Sequence, residues 1–438
     1  MSILNVNKIN PVGGGSTITI AGIASVTSSV TAPSFVGAVT GNVTGNVTGN
    51  ADTASGLSAN ASINTTGIIT ATTLNYTGNQ NLSHRNLIIN GGMTVNQYGS
   101  SSSTSPGKRI FDRWHPNWNA GTITQSKETI TSGGAYDAGH RSCLRLTNTS
   151  AAGSAGGTYV EVYYKWEAQD IARSGWNYKS ASSFITLSFW LRSSVAQTYS
   201  CTIQTRDGTN YLHPFTAVIS SANTWTKITK TFAGNSNLTI NEDNGDGLMM
   251  WVNPMQGSNF HNSSWNTDGW FAQSGSSMFA GTTDTTWGTT AGATWDITGF
   301  QLEAGPVATP FEHRSYGDEL QRCRRYYQVL VDQAGGSSQK SFAIACAYSS
   351  TSMHSTHLLS PEMRTVPTLD YTTGTDYYRA FSNGSADPFN SMQIVGNSHP
   401  HAVDLAVFSG DGVSVTAGSA VLVRTYNSAA RVAFTSEL

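Results

Sequence analysis

Residues 37–50 read GAVTGNVTGNVTGN, a four-residue repeat that rules out most ways of folding a chain. Gly37, Val39, Gly41, Val43, Gly45, Val47 and Gly49 all fall on odd positions, and the even positions between them carry Ala, Thr and Asn. In an extended chain successive side chains point to opposite faces, so the segment has a slim Gly/Val face and a polar Asn/Thr face. A helix would scatter the valines around its circumference, and each Gly would cost it about 1 kcal/mol against Ala. Collagen needs Gly at every third position. A single thin strand has nothing against which to bury its apolar face, whereas identical copies around an axis bury it for one another. The composition also suits a flexible Gly/Asn/Thr linker, and the two readings differ in the number of copies they require.

The surrounding residues favour a built structure. Before Arg85 the formally charged residues are Lys8 and Asp52 alone, whereas disordered tails combine low hydrophobicity with high charge. GIASVTSSVTAPSF (22–35) is echoed by GIITATTL (67–74), and repeats of this kind point to stacked β-units. Residues 1–85 are therefore expected to form a thin β shaft, with Val39, Val43 and Val47 against a shared axis.

Charge limits the partners. Charged residues make up 11% of the 438, and the net charge is −2. This leaves no electrostatic footprint for nucleic acid or for an anionic membrane. No apolar run approaches the roughly 18 residues of a membrane span. MSILNVNKIN lacks the basic start and apolar core of a signal peptide, so the chain is expected to fold in a cytoplasm. Cys143, Cys201, Cys323 and Cys346 are far apart and form no CxxC pair. They read as small buried hydrophobes rather than zinc ligands. No nucleotide-binding, metalloprotease or serine-hydrolase motif is present, and no cofactor, metal or catalytic residue is expected.

Tryptophan divides the remainder, since all eleven lie between Trp114 and Trp295. That block is dense in strand signals, such as YVEVYYKW (159–166), FITLSFWLRSS (184–194) and ATWDITGFQLEAG (293–305). Leu187, Phe189 and Leu191 alternate with Ser188, Trp190 and Arg192. Alternating runs separated by Gly/Asn/Asp/Ser turns predict an antiparallel sandwich, a jelly roll over 86–314. A connecting helix is expected over 315–330, opened by Ser315 and Asp318 as a capping box. Leu320, Cys323, Tyr327 and Leu330 then follow at spacings of 3, 4 and 3. Such a stripe suits helices meeting at an axis, or equally a single helix docked on the sandwich. Residues 331–438 return to short strands, a smaller β-domain. The fold class is thus mainly β: thin shaft, sandwich, short helix and C-terminal β-domain.

Two regions compete as binding surfaces. The stretch 258–288 is too rich in Gly and Ser for a core, yet holds Trp265, Trp270 and Trp287. Such rings offer apolar faces to sugar C–H groups, or else fold beneath the loop as a satellite cluster. Farther on, Tyr371, Tyr377, Tyr378, Arg379, His399 and His401 sit among turn residues, as recognition loops do; ordinary turns with half-buried tyrosines are the alternative. Acids are sparse and mark no pair suited to glycoside hydrolysis. Glu161 alternates with Tyr159 and Tyr163, as on a solvated face or along a groove. NEDNGDG (241–247) fails as an EF-hand loop because position 253 is Asn253 rather than an acid, and reads as a hairpin turn.

These residues carry a resemblance. NLIINGGMTVNQYG (86–99), DRW (112–114), LSFWLRSS and ITGFQLEAGPVATPFEHRSYGDELQRCRRYYQ (297–328) occur in that order. Together they resemble the jelly-roll module of phage tail fibre and prophage tail proteins, which is itself similar to carbohydrate-binding modules. MRTVPT (363–368) and the final SEL resemble elements of the C-terminal domains that follow it. The GNVT repeats resemble thin N-terminal regions of fibres from marine cyanobacterial and related phages. The resemblance implies a non-enzymatic, homotrimeric virion tail fibre, joined to tail or baseplate proteins through its N-terminal region. It would act at the host surface by binding a glycan or an outer-membrane receptor. A glycan-degrading tail protein and a purely structural spacer are the alternatives.

Overall fold

The computed structural model describes residues 84–438, apart from 282, 283, 335, 337 and 338. The expected shaft, with Val39, Val43 and Val47, falls outside them except for its last two residues. The described residues lie in one compact unit. Its first part contains β1 (Ser102–Ser103), β2 (His115–Trp118), β3 (Thr122–Thr129), β4 (Ser142–Ser150), β5 (Tyr159–Glu167), β6 (Phe184–Ser193) and β7 (Thr198–Thr205). It continues with β8 (Tyr211–Val218), β9 (Thr226–Ala233), β10 (Asp246–Gln256), β11 (His261–Asn262), β12 (Phe271–Ala272), β13 (Phe279–Ala280) and β14 (Thr294–Ala304). One sheet runs β1-β3-β4-β14-β6-β9 and the other β12-β8-β7-β10-β5-β2, while β11 and β13 pair separately. Neighbouring strands within both large sheets are antiparallel. This is the expected jelly-roll sandwich.

Alternation along the strands decides what the sheets enclose. On β6, Ile185, Leu187, Phe189 and Leu191 are all 0% exposed, each contributing roughly 1.5–3 kcal/mol by its burial. Phe189 stacks on Phe300 at 4.5 Å, and Phe300 meets Trp114 at 4.6 Å. Trp114 touches Tyr164 at 5.1 Å, and Tyr164 touches Trp166 at 4.7 Å. The polar tips of this aromatic chain hold the incoming segment 86–92. The Trp166 and Trp114 indoles donate to the Leu87 and Asn90 carbonyls, both at 3.0 Å, and the Tyr164 hydroxyl accepts from the Ile89 amide at 2.8 Å. Gly91 passes so close to β14 that a Cβ would lie 2.1 Å from the Phe300 carbonyl oxygen, so any side chain there would force the segment off the sheet.

The second part contains β15 (Tyr327–Asp332), β16 (Ser341–Ser349), β17 (Ser352–Leu358), β18 (Thr368–Tyr371) and β19 (Tyr378–Ser382). It ends with β20 (Ser385–Phe389), β21 (Gln393–Ile394), β22 (Ala402–Val407), β23 (Ala420–Thr425) and β24 (Arg431–Thr435). They form a three-stranded sheet, β15-β24-β18, and a seven-stranded sheet, β20-β19-β23-β16-β17-β22-β21. A separate core, including Met353, Tyr378, Phe389, Val421 and Val432, lies within this part.

The connecting helix is shorter than expected. It opens as the capping pattern predicts, with the Asp318 amide donating to Ser315 Oγ at 3.1 Å, but it spans Tyr316–Arg324 only. YQVLVD, alternating and β-branched, instead pairs antiparallel with β24. Tyr327 and Leu330 are therefore strand residues, and no two-heptad helical seam exists. Within the chain Cys323 is fully buried, while Leu320 and Leu330 are half-buried. Tyr327 stacks on Tyr98 at 4.2 Å and donates to Asp370 at 2.6 Å. These two contacts bind the sandwich and the C-terminal strands to one tyrosine.

A buried charge network closes the same junction. Arg113 is 1% exposed, lies 3.5 Å over the Tyr326 ring and forms an ion pair with Glu437. Burial alone would raise the Glu437 carboxyl, but Arg113 and Arg109 outweigh it and hold that group below its ordinary value. Arg325 grips Glu167, at the end of β5, through two bonds of 2.6 and 2.7 Å, and the Tyr326 hydroxyl adds a third of 2.6 Å. Arg364 donates to the Ser436 and Glu437 carbonyls at 2.8 and 3.1 Å.

Removing one partner of a buried pair leaves an uncompensated charge, which costs about 3–5 kcal/mol. Glu437→Ala should lose stability on that scale in urea unfolding. Arg173→Ala should stay within about 1 kcal/mol, because Arg173 and its partner Glu242 are 68% and 71% exposed.

Candidate functional site: the covered outer face of the second sheet

The outer face of the β12-β8-β7-β10-β5-β2 sheet collects aromatic and polar groups. On β5 the inward residues Val160, Val162, Tyr164 and Trp166 are at most 2% exposed. Tyr159, Glu161, Tyr163 and Lys165 alternate with them, half-buried on the other side. The pairing places His115 opposite Tyr163, and Asn117 opposite Glu161. The His115 and Tyr163 rings stack at 4.7 Å. Asn117 Nδ2 lies 3.4 Å from both the Tyr159 hydroxyl and Glu161 Oε1.

The long loop after β10 lies across part of this face. Its β12 strand pairs with β8 at the sheet edge, Phe271 opposite Leu212. Gln273 Oε1 accepts from Gln204 Nε2 on β7 at 2.8 Å. Phe279 buries itself against Met249 and Trp251 of β10, with Tyr163, Phe260 and Met278 around them. Phe260 stands edge-on to Tyr159 at 6.0 Å. Tyr159, Glu161 and Asn117 consequently sit at the open margin of a loop-covered sheet.

Burial pushes the Glu161 carboxyl from its ordinary 4.5 to about 7, against hydrogen bonds from Asn117 and Gln256 that pull it down. Near neutral pH it exists in both forms, a donor when protonated and an acceptor when ionised. His115 goes the other way. Burial, then the charges of Arg109, Arg113 and Lys165, hold it well below its ordinary value, so the ring is neutral and accepts from Arg109 Nε at 3.2 Å through Nδ1. Thr202 Oγ1, opposite Trp251, and His261 Nε2 in the covering loop are buried without a hydrogen-bond partner among the described residues. Such groups carry a desolvation cost unless a further molecule meets them.

The tryptophans singled out in the sequence part company here. Trp287 is 0% exposed in the sandwich core, so it cannot meet a ligand. Its amide donates to Gln197 Oε1 at 2.7 Å and its carbonyl accepts from Asn148 Nδ2 at 2.9 Å. Trp270 is half-buried against that core and donates from its indole to the Ala233 carbonyl at 2.8 Å, which makes it an anchor for the loop. Trp265 is half-buried and stacked on Phe271 at 5.2 Å.

The second group of candidates does not converge. Tyr378 is 0% exposed and donates to the Thr372 and Arg431 carbonyls at 2.7 and 3.1 Å, so it is a core residue and not a recognition residue. Tyr371 and Tyr377 are half-buried against the same core. Arg379, on β19, lies 3.5 Å over Tyr426. His399 and His401 are exposed and stacked at 5.7 Å beside the start of β22. β23, β16 and β17 intervene between β19 and β22, about 19 Å at the usual strand spacing.

Sequence reasoning left the groove reading of Glu161 and Tyr159 beside a solvated face, and did not reach Asn117 and His115. Their two-residue spacing on HPNW was the available signal, but it gains meaning only once β2 is placed beside β5. Among the described residues, no group of three or more His, Cys, Asp or Glu side chains is arranged to hold a metal.

No family model and no curated protein matches the chain. Among solved structures it is similar to a sugar-binding candidate from Bacteroides thetaiotaomicron, at 11% identity and a TM-score of 0.29, over 50% of this chain and 99% of that one. It is also similar to the enzymatically active domain of tailspike protein 4 of bacteriophage CBA120, at 10% identity and a TM-score of 0.27, over 50% of this chain and 21% of that one. A third is a family 11 carbohydrate-binding module from Clostridium thermocellum in complex with a mixed-linked tetrasaccharide. It shows 11% identity and a TM-score of 0.23, over 48% of this chain and 98% of that one.

The burial differences predict opposite outcomes for two tryptophans. Trp287→Ala should cost about 3–5 kcal/mol in chemical unfolding, and Trp265→Ala only about 1 kcal/mol. Glu161 gives a pH signature. Its folded-state pKa is raised, so the folded protein binds the extra proton and stability falls as pH rises from about 4.5 to about 7. Glu161→Gln removes that dependence and should raise the unfolding midpoint at pH 8 while changing it little at pH 4.

Proposed function

We propose that the chain is a subunit of a multi-copy phage tail fibre whose sandwich binds a glycan on the host-cell surface. The observation that carries this reading is the margin formed by Tyr159, Glu161 and Asn117, with Phe260 of the covering loop edge-on to Tyr159. Sugars need an apolar platform for their C–H faces and a few fixed polar groups for their hydroxyls. The margin supplies a ring, an amide and a carboxyl that both donates and accepts near neutral pH. The motif order along residues 86–370 supports the fibre reading, with the N-terminal region on the particle and the C-terminal part outward. The fibre would be a homotrimer carried on the virion, folded in the host cytoplasm and working at the host surface. A shared axis then repeats a weak site and raises avidity without new contacts.

Binding is favoured over glycan cleavage by the placement of acids. Glycoside hydrolysis uses two carboxyls about 5–10 Å apart. On β5 the next acid after Glu161 is Glu167, committed to Arg325 and about 20 Å along the strand by the usual rise. Asp246 of β10 pairs opposite Glu167, and β2, β7 and β8 contain no acid.

The experiment is retention of the purified full chain on immobilised envelope polysaccharides from susceptible and resistant hosts. The wild type should be retained by a susceptible-host glycan without releasing reducing ends. Tyr159→Ala and Glu161→Gln should each weaken retention by about tenfold, the equivalent of roughly 1.4 kcal/mol, with the unfolding transition still cooperative. Release of reducing ends, or retention indifferent to both substitutions, would overturn the reading of this site.

A further inference from the structure

The outer face of the other large sheet holds a cleft that the margin around Tyr159 does not involve. On β6, Leu187, Phe189 and Leu191 fill the core, so Trp190 is turned outward. The pairing sets Lys227 of β9 on one side of Trp190 and Thr298 of β14 on the other. After Thr298 a bulge brings in Gly299, left-handed with φ of 67°. A Cβ there would lie 2.9 Å from Trp190 Cδ1 and 2.5 Å from His140 Nε2, so glycine keeps the floor open. The chain beyond β14 returns over the sheet as a wall, and β14 pins it. Glu303 accepts from the Thr309 amide and hydroxyl at 2.8 and 2.7 Å, and Gln301 Oε1 accepts from the Glu312 amide at 2.7 Å. Sheet and wall bound a cleft of about 520 Å³, within the roughly 300–1,000 Å³ of small-molecule sites.

The lining combines apolar surface with one sign of charge. Trp190, Pro310 and Phe311 supply the surface, and none of the lining residues is acidic. Lys227 is exposed at the rim, and neither its ammonium nor the Trp190 indole N–H has a hydrogen-bond or ion-pair partner among the described residues. His140, beside Gly299, is 2% exposed and edge-on to Phe311 at 4.7 Å, and its Nε2 is buried without a partner among the described residues. Burial, then His313, Arg141 and Lys227, lower its pKa to about 4, so the ring is neutral and offers a donor or an acceptor. We infer that this cleft binds a sugar ring bearing a carboxylate, a uronic acid. The indole and phenyl rings take its C–H face, and Lys227 meets the carboxylate. The Trp190 N–H and His140 Nε2 are left for hydroxyls or a bridging water. A lining without acids favours an anion, and its aromatic surface favours a ring over a bare inorganic ion. The inference does not rest on Tyr159, Glu161 or Asn117, which belong to the opposite sheet.

The test is calorimetric titration of the purified full chain with uronic-acid trisaccharides of gluco, galacto and manno configuration, each beside its methyl ester, which keeps the shape and loses the charge. At least one acid should bind about fivefold more tightly than its ester. Lys227→Gln should abolish that difference without altering the unfolding midpoint, since Lys227 has no partner to lose. Trp190→Ala should weaken acid and ester alike; if it fails to fold, the Lys227 variant carries the test alone. Tyr159→Ala should leave the titration unchanged. No binding by any of the three acids, equal affinity for acid and ester, or a preference that survives Lys227→Gln would each overturn this site. Those results leave the margin reading standing wherever retention on host polysaccharide still depends on Tyr159. A preference lost in Tyr159→Ala but kept in Lys227→Gln would overturn the cleft and move the carboxylate to the margin.

Discussion

A guanidinium buried between tyrosine rings has to be given a counter-charge, and much of the arrangement follows from how Arg113 obtains one. The residue lies in a left-handed backbone conformation, with φ of 71°, which costs a non-Gly residue free energy and persists only where the surroundings over-determine it. Here they do. Trp114 next to it belongs to the aromatic chain across the sandwich core, Tyr326 and Tyr164 flank its charge, and Glu437 neutralises it. The carboxylate reaches that position because β24 is paired to β15, which begins two residues beyond Arg325 and its grip on Glu167. Sandwich, helix and C-terminal sheets thus share one set of desolvated charges, and no part can shift without exposing another's unpaired group.

This junction also explains which residues were conspicuous in the sequence. NLIINGG, DRW, the ELQRCRRYY run, MRTVPT and the final SEL look unrelated when read along the chain. In space Asn86 donates to the Phe300 carbonyl, Glu319 accepts from the Asn90 amide, Arg325 and Tyr326 hold Glu167, and Arg364 donates to the Ser436 and Glu437 carbonyls. They read as a conspicuous set because they are architecture. The groups at the open margin, Tyr159, Glu161 and Asn117, carry no such local signature.

Strand alternation was legible because burial on one face imposes it directly, as on β6 and β5. The helix end was not, since Leu320, Cys323, Tyr327 and Leu330 satisfy a heptad as well as they satisfy helix followed by strand; only pairing with β24 distinguishes the two. Trp265 and Trp287 sit in equally Gly/Ser-rich surroundings, and nothing local says which turns inward. The decision belongs to Gln197 and Asn148, which lie 90 and 139 residues away and bind the Trp287 backbone. Tyr378 shows the same limit, its hydroxyl being satisfied by the Arg431 carbonyl 53 residues on.

The 324 residues separating Arg113 from Glu437 have a kinetic meaning. Contacts so distant in sequence pay loop-closure entropy before they return any stabilisation, and they form late. The sandwich core, whose buried residues run from Ile88 to Leu302, has no need to wait for them. Arg113 would then remain hydrated beside an already formed aromatic core, and its dehydration would coincide with the arrival of β24. Closure of that one ion pair would then come late in folding, at the point where the three-stranded sheet that contains β24 is fixed against the sandwich.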